Sequence, residues 1–324
     1  MKQKSFLKWM ILPLFSLFLF NCSKDEIYIN LGSGTGSNDQ TGDDKGDTIS
    51  PDKTFAISFN AVMESMNLTK SIFTFPQGRY ATVFVFNEGT SPNGIPLANA
   101  NYTTKSSGIL SPVATPIYLS NGEYNFYSVA TNSTTNKTPT FTNGVSSSLS
   151  NGVDYLWWST PRFAVSASTA NINIVYSHSC TQVVIKMTAG NGVTINSIDS
   201  ARITPPVPSS TMDLATGQIP SATQISTTGY MNMGISQDVC QATMLPLKTS
   251  SPLTAVFKIK INNEAAPRTF QVNIPVPGDA LLPGDSYLFS AVVNSTTITF
   301  PKVSVIGWVV VNESGEPLYP SEID

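Results

Sequence analysis

The sequence predicts an all-β protein built from two tandem β-sandwich domains, and three observations lead to this fold class. Apolar and polar residues alternate along most segments from residue 54 onward, which is the period of a β-strand. Turn signals such as Asn121-Gly122 and Asn151-Gly152 separate these segments. The strand-patterned part, about 270 residues long, exceeds one small sandwich, so we expect two Greek-key domains of about seven or eight strands each.

Residues 1–21 are predicted to be a lipoprotein signal peptide. Three lysines in the first eight residues precede an apolar run from Met10 to Phe20, which is the layout of a secretory signal. The run has about half of the roughly 20 apolar residues that a transmembrane helix needs. Cys22 follows it as the lipidated cysteine follows a bacterial lipobox, so Cys22 is the predicted lipid carrier. In the alternative, an ordinary signal is cleaved elsewhere and Cys22 remains a free thiol.

Residues 22–53 are predicted to be a flexible tether. They are rich in Gly, Ser, Asp and Thr and show no apolar periodicity. Lys24, Asp25 and Glu26 resemble the export signal of surface-exposed Bacteroidetes lipoproteins, although a solvated charged stalk would have the same composition. Together with acylation at Cys22, these features place the folded part on the outer face of the outer membrane, with the membrane as a partner through the lipid anchor.

The composition argues against several classes of function. Charged residues make up 12% of the chain, and loss of the three signal lysines would take the formal charge from −3 to about −6. Nucleic acid is therefore not an expected partner. His178 is the only histidine, and no G-x-S-x-G sequence occurs. We therefore predict no enzyme, no cofactor and no metal site, and interpret His178 as a structural residue rather than as a member of a catalytic triad.

The N-terminal sandwich is predicted to span residues 54–177. Its first strand, in "TFAISF", directs Phe55, Ile57 and Phe59 to one side. The segments "EYNFYSVA" and "NINIVY" alternate in the same way. The boundary is expected near His178, where one alternating strand ends and "TQVVIKM" begins.

The C-terminal sandwich is predicted to span residues 178–324, including a short tail after Trp308. In "VFKIKI", Phe257, Ile259 and Ile261 alternate with two lysines, as expected for a strand with one solvated face.

Two side-chain pairs in these domains have more than one interpretation. Cys180 and Cys240 could form a disulfide in an exported protein, or could pack as reduced thiols in apolar strands. Trp157 and Trp158 face opposite ways along a strand, so one of them either contacts a ligand such as a sugar ring or is covered by a loop or the neighbouring domain.

An ordered set of motifs resembles the fimbrillin-like family of Bacteroidetes pilus subunits. The set comprises "GRYATVFVFN", "GEYNFYSVA", "GVDYLWW", "IVYSHSCTQVVIKM" and "LLPGDSYLFSAVV" followed by "VSVIGWVV". The resemblance covers most of residues 54–312 and implies two transthyretin-like sandwiches, a structural role for His178, and a surface lipoprotein acting as stalk, tip or accessory subunit in adhesion. It also implies partners in the form of other pilus subunits, bound by strand exchange.

In polymerising members of that family, a protease removes the first strand after an arginine, and a strand of another subunit fills the groove. By resemblance, the removable strand here carries Phe55, Ile57 and Phe59. Lys70 stands where the family has an arginine, and Arg79 lies close to the next strand, so either residue is a candidate processing site. The departure at Lys70 also leaves open that a different enzyme cuts the chain, or that it is never cut.

A rival hypothesis is a glycan-binding surface lipoprotein that does not polymerise, whose ligands would be host or bacterial surface glycans or proteins. Its sequence support is the tether and the tryptophan pair. Two tripeptides, which contain Thr48 and Ser200, resemble the O-glycosylation acceptor of secreted Bacteroidetes proteins.

Overall fold

The structure, a computed structural model, describes residues 54–64, 72–308, 310–311 and 317–318. Within these ranges it contains 25 β-strands, two single-turn 3-10 helices (Ser106–Gly108 and Pro277–Asp279) and no α-helix, so the predicted all-β class is confirmed. No helix among them is long and apolar enough to cross a bilayer. Several predicted features lie outside the described residues: the signal peptide, Cys22, the Lys24-Asp25-Glu26 signal, the tether with Thr48, and Lys70.

Twelve of the described strands lie between residues 54 and 178. They are β1 (Thr54–Ala56), β2 (Ser58–Glu64), β3 (Ile72–Thr74), β4 (Tyr80–Asn87), β5 (Ala98–Thr104), β6 (Ile109–Pro112), β7 (Tyr118–Ser120), β8 (Gly122–Thr131), β9 (Phe141–Thr142), β10 (Val145–Ser146), β11 (Tyr155–Val165) and β12 (Asn171–His178). The single predicted first strand is therefore two strands, β1 and β2, separated at Ile57.

The main sheet of this half closes on itself. Its strand order is β12-β11-β8-β4-β5-β6-β2-β3, and β12 also pairs with β2. Seven strands thus form a ring, and β3 pairs with the end of β2 outside it. The ring surrounds a core of large buried side chains that includes Phe59, Tyr102, Phe126, Leu156 and Tyr176. Because β2 is the strand at which the ring closes, the N-terminal segment determines whether the sheet has free edges.

In the part of the chain that the structure describes, thirteen strands follow residue 180. They are β13 (Thr181–Ala189), β14 (Ile195–Ile203), β15 (Met231–Asn232), β16 (Gly234–Ser236), β17 (Val239–Met244), β18 (Leu247–Lys248), β19 (Leu253–Ile261), β20 (Arg268–Ile274), β21 (Ala280–Leu281), β22 (Ser286–Val293), β23 (Ile298–Ile306), β24 (Val310–Val311) and β25 (Pro317–Leu318).

Two sheets of this half share one core. The first has the order β16-β17-β13-β22-β23, with β13 and β22 parallel, and the second has the order β15-β14-β19-β20. The alternation predicted on β19 is confirmed, since Phe257, Ile259 and Ile261 are fully buried and Lys258 is exposed. These three side chains belong to the cluster that the two sheets enclose.

The change from one set of sheets to the other coincides with the predicted boundary, because β12 ends at His178 and β13 begins at Thr181. The described residues nevertheless all belong to one compact unit. A third hydrophobic cluster joins Phe84 and Tyr155 of the first half to Met212 and Leu245 of the second. The division into two tandem domains stays a prediction.

Candidate assembly site

The N-terminal segment, residues 54–64, is part of the core of the ring. Its alternate side chains point inward: Ile57 and Phe59 are 3% and 1% exposed, and Met63 is fully buried. Phe55 is half-buried and packs on the edge of the same cluster. Removal of this segment would therefore withdraw a continuous row of apolar side chains from the middle of a hydrophobic core.

Both backbone edges of β2 are paired. Residues 58–63 pair in parallel with residues 171–176 of β12. On the opposite edge, Phe59 and Asn60 pair with β6, and residues 62–64 pair with β3. Without β2, both β12 and β6 would expose unpaired N–H and C=O groups, which is the arrangement that accepts an added strand.

Phe59 is surrounded by aromatic rings. Its ring centre lies 5.2 Å from that of Tyr102 and 6.3 Å from that of Phe126, both in edge-to-face geometry, the favourable arrangement of such rings. The Tyr102 hydroxyl accepts a hydrogen bond from the backbone N–H of Ile117 at 3.2 Å. Burial raises the pKa of Tyr102, so this hydroxyl stays protonated at neutral pH.

A glycine allows the 3-10 turn before β6 to approach the backbone of β2. Gly108 has a φ of 76°, and a Cβ atom there would lie 2.3 Å from the carbonyl oxygen of Ala61. Only glycine fits this contact without displacing the strand. The slot for β2 is therefore shaped by the surrounding backbone as well as by side chains.

Of the two candidate processing residues, Arg79 is described. It is half-buried, and its Nε donates a hydrogen bond to Asn132 Oδ1 at 2.9 Å. Its carbonyl oxygen accepts the backbone N–H of Thr104 at 2.8 Å. Burial lowers the pKa of the guanidinium. Because a protease binds its substrate as an extended, accessible strand, cleavage after Arg79 requires these contacts to open first.

Both predicted ligand-contact tryptophans are half-buried. Trp157 packs on the third hydrophobic cluster, and its Nε1 donates a hydrogen bond to the Leu214 carbonyl at 2.8 Å. Gly217 lies so close that a Cβ there would be 2.4 Å from the indole ring of Trp157. Trp158 packs on the core of the ring. The loop at 213–217 therefore covers Trp157, as in the second of the two interpretations.

His178 lies in a buried cluster at the boundary between the two sets of sheets. Its Nδ1 is 2.9 Å from Asp154 Oδ1, and its ring stacks on Trp308 with the ring centres 3.9 Å apart. All three residues are less than 10% exposed. Among the described residues, His178 Nε2 and Asp154 Oδ2 have no hydrogen-bond partner. The contacts agree with the structural role that was predicted for His178.

The "LPGDSY" motif contributes to the same boundary. The backbone N–H of Gly284 donates to the Cys180 carbonyl at 2.6 Å, and Ser286 Oγ donates to Gln182 Oε1 at 2.7 Å. Residues 282–287 are thus hydrogen-bonded to the segment that directly follows His178. Four motifs that are far apart in the sequence therefore lie together in this region. They contain Asp154, His178, residues 282–287 and Trp308.

The predicted alternative of a disulfide between Cys180 and Cys240 is wrong for this structure, because both residues are free, buried thiols. Cys240 pairs with Ile185 in the β13–β17 ladder, five residues beyond Cys180. At about 3.3 Å per residue, the two cysteines lie roughly 16 Å apart along the strand, whereas a disulfide needs a Cα separation of about 4.4–6.8 Å. Burial raises the pKa of both thiols, that of Cys240 to about 12.

Ser200, the second candidate glycosylation residue, is half-buried on β14 and pairs with Lys258 of β19. Its backbone is held in the sheet, and its modification stays a prediction. Among the described residues, no group of three or more His, Cys, Asp or Glu side chains could hold a metal ion.

Comparisons with known proteins agree on one group. A family model described as fimbrillin-like matches residues 71–308. Among solved structures, the fold is similar to those of three candidate cell adhesion proteins, from Bacteroides uniformis (TM-score 0.55, 14% identity), Bacteroides ovatus (0.56, 16%) and Bacteroides fragilis (0.53, 15%). The matches cover 78%, 80% and 78% of this chain and 98%, 100% and 97% of the other chains, respectively. A search of curated proteins found no match.

Proposed function

Since the chain belongs to the fimbrillin-like family, we propose that it is a structural or adhesive subunit of a pilus, assembled by β-strand donation. The observation that carries the proposal is the position of β2, which closes the ring between β12 and β6 while lying near the N-terminal end of the described residues. A strand in this position is replaceable by an equivalent strand from a second subunit.

The energetics explain why removal of the segment would lead to assembly. Ile57, Phe59 and Met63 are buried, and each such side chain contributes roughly 1.5–3 kcal/mol, or about 5–9 kcal/mol together. A folded domain is stable by only about 5–15 kcal/mol. A body without β2 would be close to unfolding and would expose two strand edges. A donated strand would restore both the core and the ladders.

Release of the segment requires cleavage between β2 and β3. Lys70 lies in that interval of the sequence, next to the start of β3 at Ile72. Cleavage there would separate residues 54–64 from the body and leave Phe75, a core residue, in place. We therefore favour Lys70 over Arg79, whose side chain and carbonyl are both hydrogen-bonded.

The remaining part of the proposal concerns the location of the subunit. We propose that Cys22 carries lipid, that Lys24, Asp25 and Glu26 direct export, and that the body stands on the outer membrane surface at the end of the tether, anchored or incorporated as stalk, tip or accessory subunit. The basis is the order of signal, cysteine, acidic stretch and polar tether in residues 1–53. Intact mass of protein released from cells would report acylation of Cys22 and glycosylation at Thr48 together.

A cleavage experiment tests assembly directly. The purified chain, the K70A variant and, as a matched control, the K302A variant are treated with trypsin and followed by intact mass and electron microscopy; Lys302 is exposed and lies on β23 of the second half. We expect the unaltered chain and K302A to lose the N-terminal segment and to form polymers, and K70A to remain monomeric. Cleavage after Lys70 that leaves only monomers would refute strand donation.

The rival hypothesis, a non-polymerising glycan-binding lipoprotein, relied on an exposed tryptophan. The loop that covers Trp157 and the packing of Trp158 on the core give no support to this pair as a sugar platform. A glycan function therefore needs a different surface.

A further inference from the structure

The second half of the molecule contains a cavity of about 760 Å³, within the range of small-molecule sites, about 300–1,000 Å³. Its walls are the chain after β14 (204–208), the segment before β15 (223–230), the turn before β19 (249–254) and Gln271 of β20. None of these segments belongs to the N-terminal strand or its slot. The cavity is therefore separate from the assembly site.

The lining is polar but uncharged. Ser and Thr supply half of the lining residues, Gln224 and Gln271 add two amides, and no described Asp, Glu, Lys, Arg or His side chain lines the cavity. Hydroxyl and amide groups both donate and accept hydrogen bonds, as the hydroxyl groups of a sugar do. The lining residues themselves offer no counter-ion to a charged ligand, and the cation beside them, Arg202, lies over the ring of Tyr230. The hydroxyl and amide groups of the lining suit an uncharged polyhydroxyl ligand.

Several of these groups are available for a ligand. Within the described part of the chain, the side chains of Gln224, Gln271 and Thr227 make no hydrogen bond to protein. Both glutamines are exposed, so neither pays a burial cost in the empty site. A ligand that reaches them would gain bonds without breaking existing protein contacts.

One aromatic ring stands at the cavity. Tyr230 is 41% exposed, and the guanidinium carbon of Arg202 lies 5.2 Å from the centre of its ring. The guanidinium lies over one face of the ring, as in a cation–π contact, so a ligand would stack on the other face. Aromatic rings present a flat apolar face to which the C–H face of a sugar can attach, with the hydroxyl as a polar end. Tyr230 thus has the features that the covered Trp157 lacks.

The walls of the cavity are held by backbone hydrogen bonds. The N–H of Val207 donates to the Gln224 carbonyl at 2.9 Å, and the N–H of Ser226 donates to the Pro205 carbonyl at 2.8 Å. The N–H of Thr204 donates to the Thr254 carbonyl at 2.9 Å, and the N–H of Thr254 donates to the side-chain Oγ1 of Thr204 at 2.8 Å. Little backbone freedom would be lost on binding, which favours affinity.

From this lining we propose that the cavity binds an uncharged oligosaccharide. One sugar ring packs against Tyr230, and the hydroxyl groups of the sugar form hydrogen bonds with the side chains of Gln224 and Gln271. The site makes the subunit a glycan-binding protein of the cell surface, in addition to any role in a filament. It does not depend on strand donation, because none of its residues changes partner when the N-terminal segment leaves.

The test uses the uncleaved K70A chain, so that assembly does not affect the result. The probes are uncharged oligosaccharides of glucose, galactose, mannose, fucose and N-acetylglucosamine, with sialylated and sulfated glycans for comparison, first on an array and then by calorimetry. We expect at least one uncharged probe to bind. We expect Y230A to weaken its affinity at least tenfold, Q271A to weaken it severalfold, and Y230F to retain it.

The matched control is Y118A, which removes a tyrosine that is 55% exposed on β7 of the first half and should leave affinity unchanged. Thermal unfolding of each variant establishes that it is folded. The proposal is overturned if no uncharged probe binds, if only charged glycans bind, or if Y230A and Q271A bind as tightly as the parent chain. Binding that is lost instead in W158A would also overturn it, because it would move the site to the tryptophan pair.

Discussion

Replacing Phe59 with alanine tests whether β2 is an integral part of the core. Phe59 is 1% exposed and touches the rings of Tyr102 and Phe126. Truncation of a buried phenylalanine costs about 3–5 kcal/mol, the sum of lost transfer free energy and an unfilled cavity. Against a total of about 5–15 kcal/mol, F59A should remove a large share of the stability of the first half.

Urea unfolding monitored by tryptophan fluorescence measures this effect. With a slope near the upper end of the range for small proteins, about 3 kcal/mol per molar urea, the midpoint should fall by roughly 1–1.7 M. The exposed neighbour Ile72 on β3 supplies the first control, because I72A should change the unfolding free energy by less than about 0.5 kcal/mol.

A second control separates local from global loss. Phe289 is equally buried but lies in the second half, so F289A should destabilise the protein by a similar amount without exposing β2. Hydrogen exchange at residues 58–63 should therefore accelerate in F59A more than in F289A. A stability loss below about 1 kcal/mol for F59A, or equal exchange in both variants, would refute the view that this segment completes the core.

The remaining predictions concern the boundary cluster, the thiols and the covered tryptophan. D154A leaves the histidine Nδ1 buried without its partner and should cost about 1–3 kcal/mol in urea unfolding; an unchanged midpoint would show that the pair is not structural. A thiol reagent should not label Cys180 or Cys240 in the native protein at neutral pH, since burial raises the pKa of Cys240 to about 12 and raises that of Cys180 as well. Without reductant, both cysteines should react once urea unfolds the chain. Failure to react after unfolding would indicate a disulfide. G217A places a Cβ 2.4 Å from the indole of Trp157 and should shift the fluorescence of that tryptophan to the red. The control G192A has a similar φ and nothing within 4 Å, so it should change stability through backbone strain alone. An identical emission spectrum for both variants would contradict the close contact between Gly217 and Trp157.

The fold class could be predicted from the sequence because many strands bury one face and expose the other. Apolar and polar residues therefore alternate along those strands. Ile172, Ile174 and Tyr176 of "NINIVY" are all buried. Phe257 and its two partners in "VFKIKI" are buried in the same way. The opposite orientation of Trp157 and Trp158 was also predictable from the strand period, and each ring packs on a different cluster.

Strand neighbours could not be predicted in the same way. Alternation states which side of a strand is apolar but says nothing about which strand lies beside it, so the parallel pairing of β2 with β12 left no local signal. The same limit affected the cysteines, because only the register of β13 against β17 separates Cys180 from Cys240. The disulfide could therefore not be excluded from the sequence.

The two functional regions differ in how far the sequence could reveal them. The N-terminal strand was predictable as an element, because Ile57 and Phe59 alternate with polar residues, and its role came from the family resemblance. The cavity beside Tyr230 was missed. Its walls are non-periodic loops rich in Thr, Ser and Pro, and such segments gain a shape only when residues near 204, 227, 250 and 271 are brought together by the sheets.

The parallel pairing of β2 with β12 has a consequence for the order of folding. Ser58 and its neighbour Asn171 are 113 positions apart in the chain, and contacts across such distances form late because a long loop must close first. Because the chain is synthesised from its N-terminus, β2 leaves the ribosome long before β12 is made. The antiparallel ladders of β4, β5 and β8 join nearer stretches of chain and can form around a gap that β2 enters at the end. If β2 is the last strand to enter the ring, the same pathway in reverse makes it the first strand to leave. The strand order therefore makes this position the easiest one in the ring to fill or to vacate, whether the strand comes from the same chain or from another.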